Sequence, residues 1–206
     1  MTDRQVGVLA PERRRLLLET AAREFARAGY ERASLNRIIR SCGMSKSSFY
    51  YYLPSKEALF DAVVAEGGAA LVAALEVPDP GEFADGDVWG RVERLLDRLV
   101  AVSEREPWFT DLGRLFYLDD APSGPGTALG RALAAVDAWL ERALAAGRAS
   151  GAVRDDLPTS LQRQLTFAVL RAMDDWSLRH LAELDPAQRR RLAGAQVDAI
   201  RRLLAR

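Results

Sequence analysis

This 206-residue chain has only two lysines, Lys46 and Lys56, beside 27 arginines. Both lie in one stretch, SLNRIIRSCGMSKSSFYYYLPSK (Ser34 to Lys56), among hydroxyl side chains and three successive tyrosines. Such side chains bind polyanions. Ser and Tyr hydroxyls donate to phosphate oxygens, Lys and Arg bring charge, and some of the same groups read base edges. From Arg32 to Lys56 there are five basic residues (Arg32, Arg37, Arg40, Lys46, Lys56) and no acidic one. Met1 to Lys56 holds 11 basic and 5 acidic residues, a net +6, whereas the rest holds 18 and 24, a net −6. The neutral total therefore hides a basic end, as expected of a part that meets phosphates. Chance placement on a solvated face would give the same count, but the alternation of hydroxyls and tyrosines with the charges favours contact with DNA.

Two short helices must position these groups. Ser34 is a good N-cap for a helix through Leu35, Ile38, Ile39 and Cys42, whose spacing makes one face apolar. Gly43 suits the left-handed turn that follows a helix. Ser45 then caps a second helix reaching about Tyr52, which Pro54 ends by its effect on Leu53. Two helices about a Gly turn make a helix-turn-helix, whose second helix enters the major groove. On that helix Phe49 and Leu53 face inward, and Lys46, Ser47, Ser48, Tyr50 and Tyr51 can face DNA. Tyr52 divides evenly between core packing and phosphate contact. Ser34 can reach a phosphate through its hydroxyl and the helix N-terminus, and Arg37 joins the set by its charge.

The run GMSKSSFYYYLPSKEALFDAV, preceded by FARAGYERASLNRIIRSCG, resembles the DNA-binding domain of TetR-type transcriptional repressors. The resemblance is carried by Phe25, Gly29, Tyr30, Ser34, Leu35, Ile38, Gly43, Tyr50, Tyr52, Lys56, Glu57 and Leu59, over about 50 residues. It implies that Tyr50 and Lys56 lie on phosphates and that residues 46–48 and 51 lie nearer the bases. Ser47 stands where the family often has Gly, which bears on the base or phosphate touched. Leu53 stands where it often has Phe, which changes only the bulk of an apolar plug.

A chain of this length allows one or two domains with a sizeable core. Its composition, 49% hydrophobic and 28% charged, is that of a globular protein. No uninterrupted run of ~18 apolar residues is evident, so no membrane span is expected. The first residues lack the pattern of a secretory signal. Cys42 is the one cysteine, which excludes an intrachain disulfide and suits a small core residue. The expected location is the cytoplasm.

In chain order, residues 1–10 read as a loose arm. Pro11 opens a first helix, with Leu17, Ala21, Phe25 and Ala28 on one face and Leu16 beside it, ended by Gly29. Arg13, Arg14 and Arg15 are either backbone contacts or solvated. A helix over about 56–76, behind Ser55, leads away from DNA, and residues 77–87 form a turn-rich linker. Further helices are expected over about 88–102, 128–149, 159–183 and 186–205, with an aromatic stretch after Pro107. Asp185, Pro186 and Gln188 form a strong start signal for the last helix. No strand pattern or internal repeat occurs. The expected fold is all-α, with about nine helices. Residues 1–55 form a three-helix DNA-binding domain, and 56–206 a ligand-binding and dimerisation bundle.

A helix-turn-helix usually works as a dimer on two half-sites, and residues 159–183 and 186–205 are the expected interface, as the resemblance also implies. Trp108, Phe109, Phe116, Tyr117, Trp139, Phe167, Met173 and Trp176, with Asp111, Arg114, Asp174 and His180 as polar anchors, are candidates for a small-molecule pocket. The competing reading is that they are core. His180 fits a hydrogen-bonded helix residue better than a metal ligand. No Cys/His cluster points to a metal, and no cofactor is expected. No nucleophile elbow, P-loop, dinucleotide fingerprint or zinc-protease motif occurs. The adjacent acids at 119–120, 155–156 and 174–175 do not face each other on a helix, so an enzyme is not expected. The sequence reads as a homodimeric regulator on a near-palindromic operator, most simply a repressor; the resemblance implies that a small-molecule inducer in the bundle shifts helix 56–76 and so releases it. Alternatives are a constitutive regulator without a ligand and a helical interaction module that has lost DNA binding.

Overall fold

Pro11 opens the first helix, where its missing N–H would have no partner anyway. The computed structural model describes residues 9–206. In it, α1 runs Pro11–Ala28 and buries Leu17, Leu18, Ala21, Ala22 and Phe25, while Leu16 is exposed. The arm expected over residues 1–10 lies, as far as residue 8, outside the described residues, and Leu9 is buried. Gly29 ends α1 at φ +79°, with its N–H donating to the Phe25 carbonyl. α2 (Leu35–Ser41) and α3 (Lys46–Tyr52) follow, each capped by a serine side chain: Ser34 accepts from Arg37 N–H and Ser45 from Ser48 N–H. Between them Gly43 adopts φ +61°, the left-handed turn its sequence position predicted.

α4 (Lys56–Leu75) starts behind Ser55, whose hydroxyl accepts from Ala58 N–H at 3.0 Å. Residues 77–87 contain a 3-10 turn, Pro80–Asp85, closed by a capping box of Asp79 and Glu82. α5 (Val88–Arg105) runs one turn beyond the expected end at Val102. α6 (Trp108–Arg114) is short and passes into a 3-10 turn, Leu115–Tyr117. α7 (Ala128–Ala149) and α8 (Thr159–His180) are the longest helices; a 3-10 turn, Leu181–Glu183, follows α8. α9 (Pro186–Leu204) opens with the expected capping box of Asp185 and Gln188. The fold is all-α: nine α-helices and no strand among the described residues.

Two compact units form: residues up to Ala70 with Trp108–Ala132, and Leu71–Pro107 with Leu133–Arg206. Compactness thus does not divide the chain after residue 55, because most of α4 and all of α6 belong with α1–α3. In the first unit α6 packs on α1. Phe25, Tyr30 and Phe60 form an aromatic cluster, with Phe60 edge-on to Phe25 at 5.1 Å and to Tyr30 at 5.2 Å. Gly67 of α4 allows close packing: a Cβ there would stand 3.0 Å from Leu112 and 3.1 Å from Trp108, so those side chains would have to give by a few tenths of an ångström. The second unit has its own core: Phe83, Val88, Leu140, Ala143, Leu144, Val153, Ile200 and Leu204.

The segment beginning with α4 has no uninterrupted run of ~18 apolar residues, yet it is long and apolar enough, by length and composition alone, to cross a membrane. Only its first part is packed away, and Val72 is exposed. Leu59, Phe60, Val63, Val64 and Gly67 are buried in the first unit, Asp61 accepts from Ala128 N–H at 3.0 Å, and Glu66 pairs with Arg14.

Candidate nucleic-acid interface

α3 is two turns long, and its two sides differ in kind. Phe49 is fully buried, and Leu53, Ile38 and Ile39 are buried with it. That apolar set fixes α2 and α3 as a unit, because large side chains in a closed core leave little room for rotation. On the other side Lys46, Ser47, Tyr50 and Tyr51 are exposed, and Ser48 is half-buried with its N–H held by Ser45. Tyr50 stands edge-on to Phe49 at 5.2 Å and Tyr51 edge-on to the half-buried Tyr52 at 5.1 Å, so each exposed tyrosine ring packs against its neighbour along the chain. Ser47 Oγ lies 3.0 Å from Ser45 Oγ. A short helix therefore presents an ammonium and several hydroxyl donors on one exposed face, which is the equipment for phosphate and base-edge contacts.

Arg37, Ser34 and Lys56, also expected at the contact, are held by polar partners within the protein. Arg37 Nη1 donates to both carboxylate oxygens of Glu24, at 3.1 Å each. Glu24 is buried, and it also accepts from Ser34 N–H at 3.1 Å and from Arg27 Nη2 at 2.9 Å. Burying a carboxylate is costly unless it is paired and hydrogen-bonded; here donors from α1, α2 and the α2 N-cap all converge on it. Ser34 Oγ accepts from Arg37 N–H at 3.3 Å as the cap of α2. Lys56 Nζ donates to the carbonyls of Tyr30 (2.9 Å) and Glu31 (2.8 Å), which occupies two of its three N–H groups. Its sequence position offered no sign of this tie to the turn after α1.

Residues 17–63 match the family described as bacterial regulatory proteins, tetR family. The chain is 48% identical over 48 residues to the uncharacterized HTH-type transcriptional regulator YuxN of Bacillus subtilis (strain 168), a match that takes in 23% of this chain and only 16% of YuxN. It is 33% identical over 159 residues, 77% of each chain, to the HTH-type transcriptional repressor AcnR of Corynebacterium diphtheriae. The chain belongs to the tetR family. It is a DNA-binding transcriptional regulator of the helix-turn-helix type. Its tetR-family fold recurs in the crystal structure of the transcriptional regulator FadR from Bacillus subtilis in complex with stearoyl-CoA, with a TM-score of 0.69 at 15% identity over 90% of this chain and 96% of that one.

The twelve residues expected at a ligand pocket of this tetR-family chain fall into two groups. Trp108, Phe109, Asp111, Arg114, Phe116 and Tyr117 belong to the first unit, and Trp139, Phe167, Met173, Asp174, Trp176 and His180 to the second. In the first, Trp108 stacks on the buried Phe109 at 4.4 Å, and Asp111 pairs with Arg114 at 3.1 Å. Phe116 and Tyr117 are half-buried in the turn after α6. In the second, Trp139 donates to the Pro78 carbonyl at 2.9 Å and stands edge-on to Phe83. Phe167 and Met173 pack on the second core, whereas Asp174 and Trp176 are exposed. A cleft of about 330 Å³ in the second unit is lined by none of the twelve; its walls include Arg91, Arg94, Arg98, Glu76 and Glu82. Those arginines are engaged by Asp85, Asp87, Glu76 and Glu82. Cys42 is half-buried, and burial pushes its thiol pKa up, which leaves little thiolate for chemistry. Among the described residues no group of three or more His, Cys, Asp or Glu side chains is placed to hold a metal ion.

Proposed function

We propose that this chain is a homodimeric repressor that leaves a near-palindromic operator when a small molecule binds residues 56–206. The observation that carries the DNA-reading part is the division of α3 into a buried apolar side and an exposed side of Lys46, Ser47, Tyr50 and Tyr51. In this reading Tyr50, Lys46, Ser34 and the free N–H of Lys56 hold phosphates. Ser47, Ser48 and Tyr51 select sequence, Tyr52 lends its hydroxyl at the edge, and Arg37 turns its remaining N–H groups outward from Glu24. Residues 1–55 read DNA in the cytoplasm, without catalysis.

Dimerisation rests on α8 and α9. Leu161, Leu165, Ala168, Ala172 and Trp176 are all exposed and recur at i, i+4, i+7, i+11 and i+15, one stripe of a helix. A second copy laid on that stripe would cover it and hold two α3 helices for half-sites about 34–36 Å apart or a multiple of that. Support for a ligand is more general: the structurally similar FadR holds stearoyl-CoA, and AcnR is a repressor. A ligand acts only through different affinities for the two states, and α4, which has residues in both units, is the element that would differ.

Selection from a random duplex library, followed by a salt titration, tests this reading. The expected result is enrichment of a near-palindrome whose affinity falls steeply as salt rises. A folded dimer that enriches no sequence would overturn it. A ligand screen against the enriched duplex tests the inducer; a regulator whose operator affinity no small molecule alters would be constitutive.

A further inference from the structure

The turn after α1 has unusual partners. Tyr30 and Glu31 present two successive N–H groups, and the carboxylate of Asp120 takes both: Oδ1 accepts from Tyr30 N–H at 3.0 Å and Oδ2 from Glu31 N–H at 2.9 Å. Successive backbone N–H groups form a concavity that favours an anion. The carbonyls of the same two residues are taken by Lys56 Nζ, which also lies 4.9 Å from the Tyr30 ring centroid. One turn is thus held by a carboxylate at its donors and an ammonium at its acceptors, and all four polar groups are satisfied. Gly29 makes room for this. A Cβ there would stand 2.9 Å from Asp120 Oδ2, and φ is +79°, where a side chain is strained.

Asp120 comes from the loop that follows the 3-10 turn Leu115–Tyr117, about 90 residues further along the chain but within the same unit. The far end of that loop is tied as well, through Ala128 N–H to Asp61 Oδ1 at 3.0 Å. Burial pushes the Asp120 carboxyl up, but the N–H groups of Glu31 and Tyr30 outweigh it and hold the pKa below the usual carboxylate value.

We infer that Asp120 is a positioning residue for DNA binding: by closing the Gly29–Glu31 turn it fixes how α2, and with it α3, is carried on α1. The inference rests on the DNA-reading assignment above. Asp120 need not touch DNA. The turn is the covalent link between α1 and the α2–α3 pair, and a recognition element must be held to about 0.5 Å to place several donors at once. Without Asp120, water can take up the two N–H groups, so folding loses little. The restraint on the turn is what disappears.

The sign of the effect separates this role from plain electrostatics. Asp120 is an acid in the unit that carries the basic DNA-reading helices. If its charge alone mattered, removing it would tighten binding to a polyanion. Positioning gives the opposite order: wild type, then Asp120→Asn, which keeps one acceptor, then Asp120→Ala, which keeps none. The expected loss in operator affinity is about threefold for Asn and about tenfold for Ala, from one and two hydrogen bonds. The full-length protein is used on the enriched duplex, below its melting temperature, with the active fraction counted by stoichiometric titration. Amide hydrogen exchange is followed in parallel, and faster exchange is expected at Tyr30 and Glu31 with α1–α3 otherwise unchanged. Equal or tighter binding by the variants overturns the inference. So does weaker binding with faster exchange throughout α1–α3, which would mean general loosening. A wild-type protein that binds no duplex would sink the parent reading, and the inference with it, before any variant is compared.

Discussion

α3 and α8 are built inside out with respect to each other. α3 buries Phe49 completely and shows hydroxyls and an ammonium. α8 buries two polar side chains, Gln162 and Thr166, each 1% exposed, and shows Leu161 (42%), Leu165 (38%) and Trp176 (45%). The buried polar pair is fully served. Gln162 Oε1 accepts from Arg148 Nη1 at 2.9 Å, Gln162 Nε2 donates to the Arg154 carbonyl at 2.9 Å, and Thr166 Oγ1 donates to the Gln162 carbonyl at 2.7 Å. Arg148 also donates to the carbonyls of Leu157 and Asp155, so this polar knot fastens the α7–α8 connector. A hydroxyl-rich face suits a polyanion. A leucine and tryptophan stripe that is left bare suits another apolar surface. In the proposed reading the first face meets DNA and the second meets another copy of the chain.

The largest effect should come from spoiling the apolar stripe. The double variant Leu161→Asp/Leu165→Asp changes residues already exposed in one copy, so its helix content should hold. In sedimentation it should run as a monomer, and operator affinity should fall ~100-fold or more, because two linked half-site contacts become one. A dimer that persists in this variant would move the interface elsewhere and leave the bare stripe unexplained.

The two sides of α3 should separate in a second pair of experiments. Phe49→Ala opens a cavity in the α2–α3 core and should cost about 3–5 kcal/mol of stability, read as a lower urea midpoint. Tyr50→Ala should leave that midpoint almost unmoved but weaken operator binding about three- to tenfold, the worth of one lost donor. If Tyr50→Ala destabilised the fold like Phe49→Ala, the outer face of α3 would be structural and the contrast with α8 would fail.

How legible each helix was follows from how local its signals are. The serine caps at 34 and 45, the left-handed Gly43 and the Asp185–Gln188 box all act over three or four residues, and each stands where the sequence placed it. Long-range ties left no such trace. Arg37 looked like free charge for DNA, yet it is anchored by Glu24, 13 residues earlier; Lys56 looked like a phosphate contact, yet it holds carbonyls 25 and 26 residues before it. The stripe on α8 shows a different limit. Leucine spacing marks an apolar face but not whether that face meets its own core or a second chain. Leu161 and Leu165, within the stretch 159–183 expected at the interface, lie on the outside, while Gln162 and Thr166 take the inside. The expected boundary at residue 55 followed the motif, whereas compact packing follows α6 onto α1.

The smallest effect sharpens the contrast from the α3 side, because the platform under α3 is held partly by a group that titrates. The folded-state pKa of Asp120 lies below its ordinary value: burial raises it, and the N–H groups of Glu31 and Tyr30 more than compensate. A carboxyl with a depressed folded pKa stabilises the native state above its unfolded pKa, about 3.9 for Asp, and loses that contribution as pH falls through the lower folded value. Asp120→Asn carries no such group. Its urea midpoint should therefore drop less between pH 7 and about 3.5 than that of the wild type. The difference should be small, since Asp120 is exposed and other carboxylates titrate in the same range. Equal drops in the two proteins would mean that the N–H pair of the turn does not distinguish a carboxylate from an amide, and the turn would then be held chiefly by Lys56 from its carbonyl side.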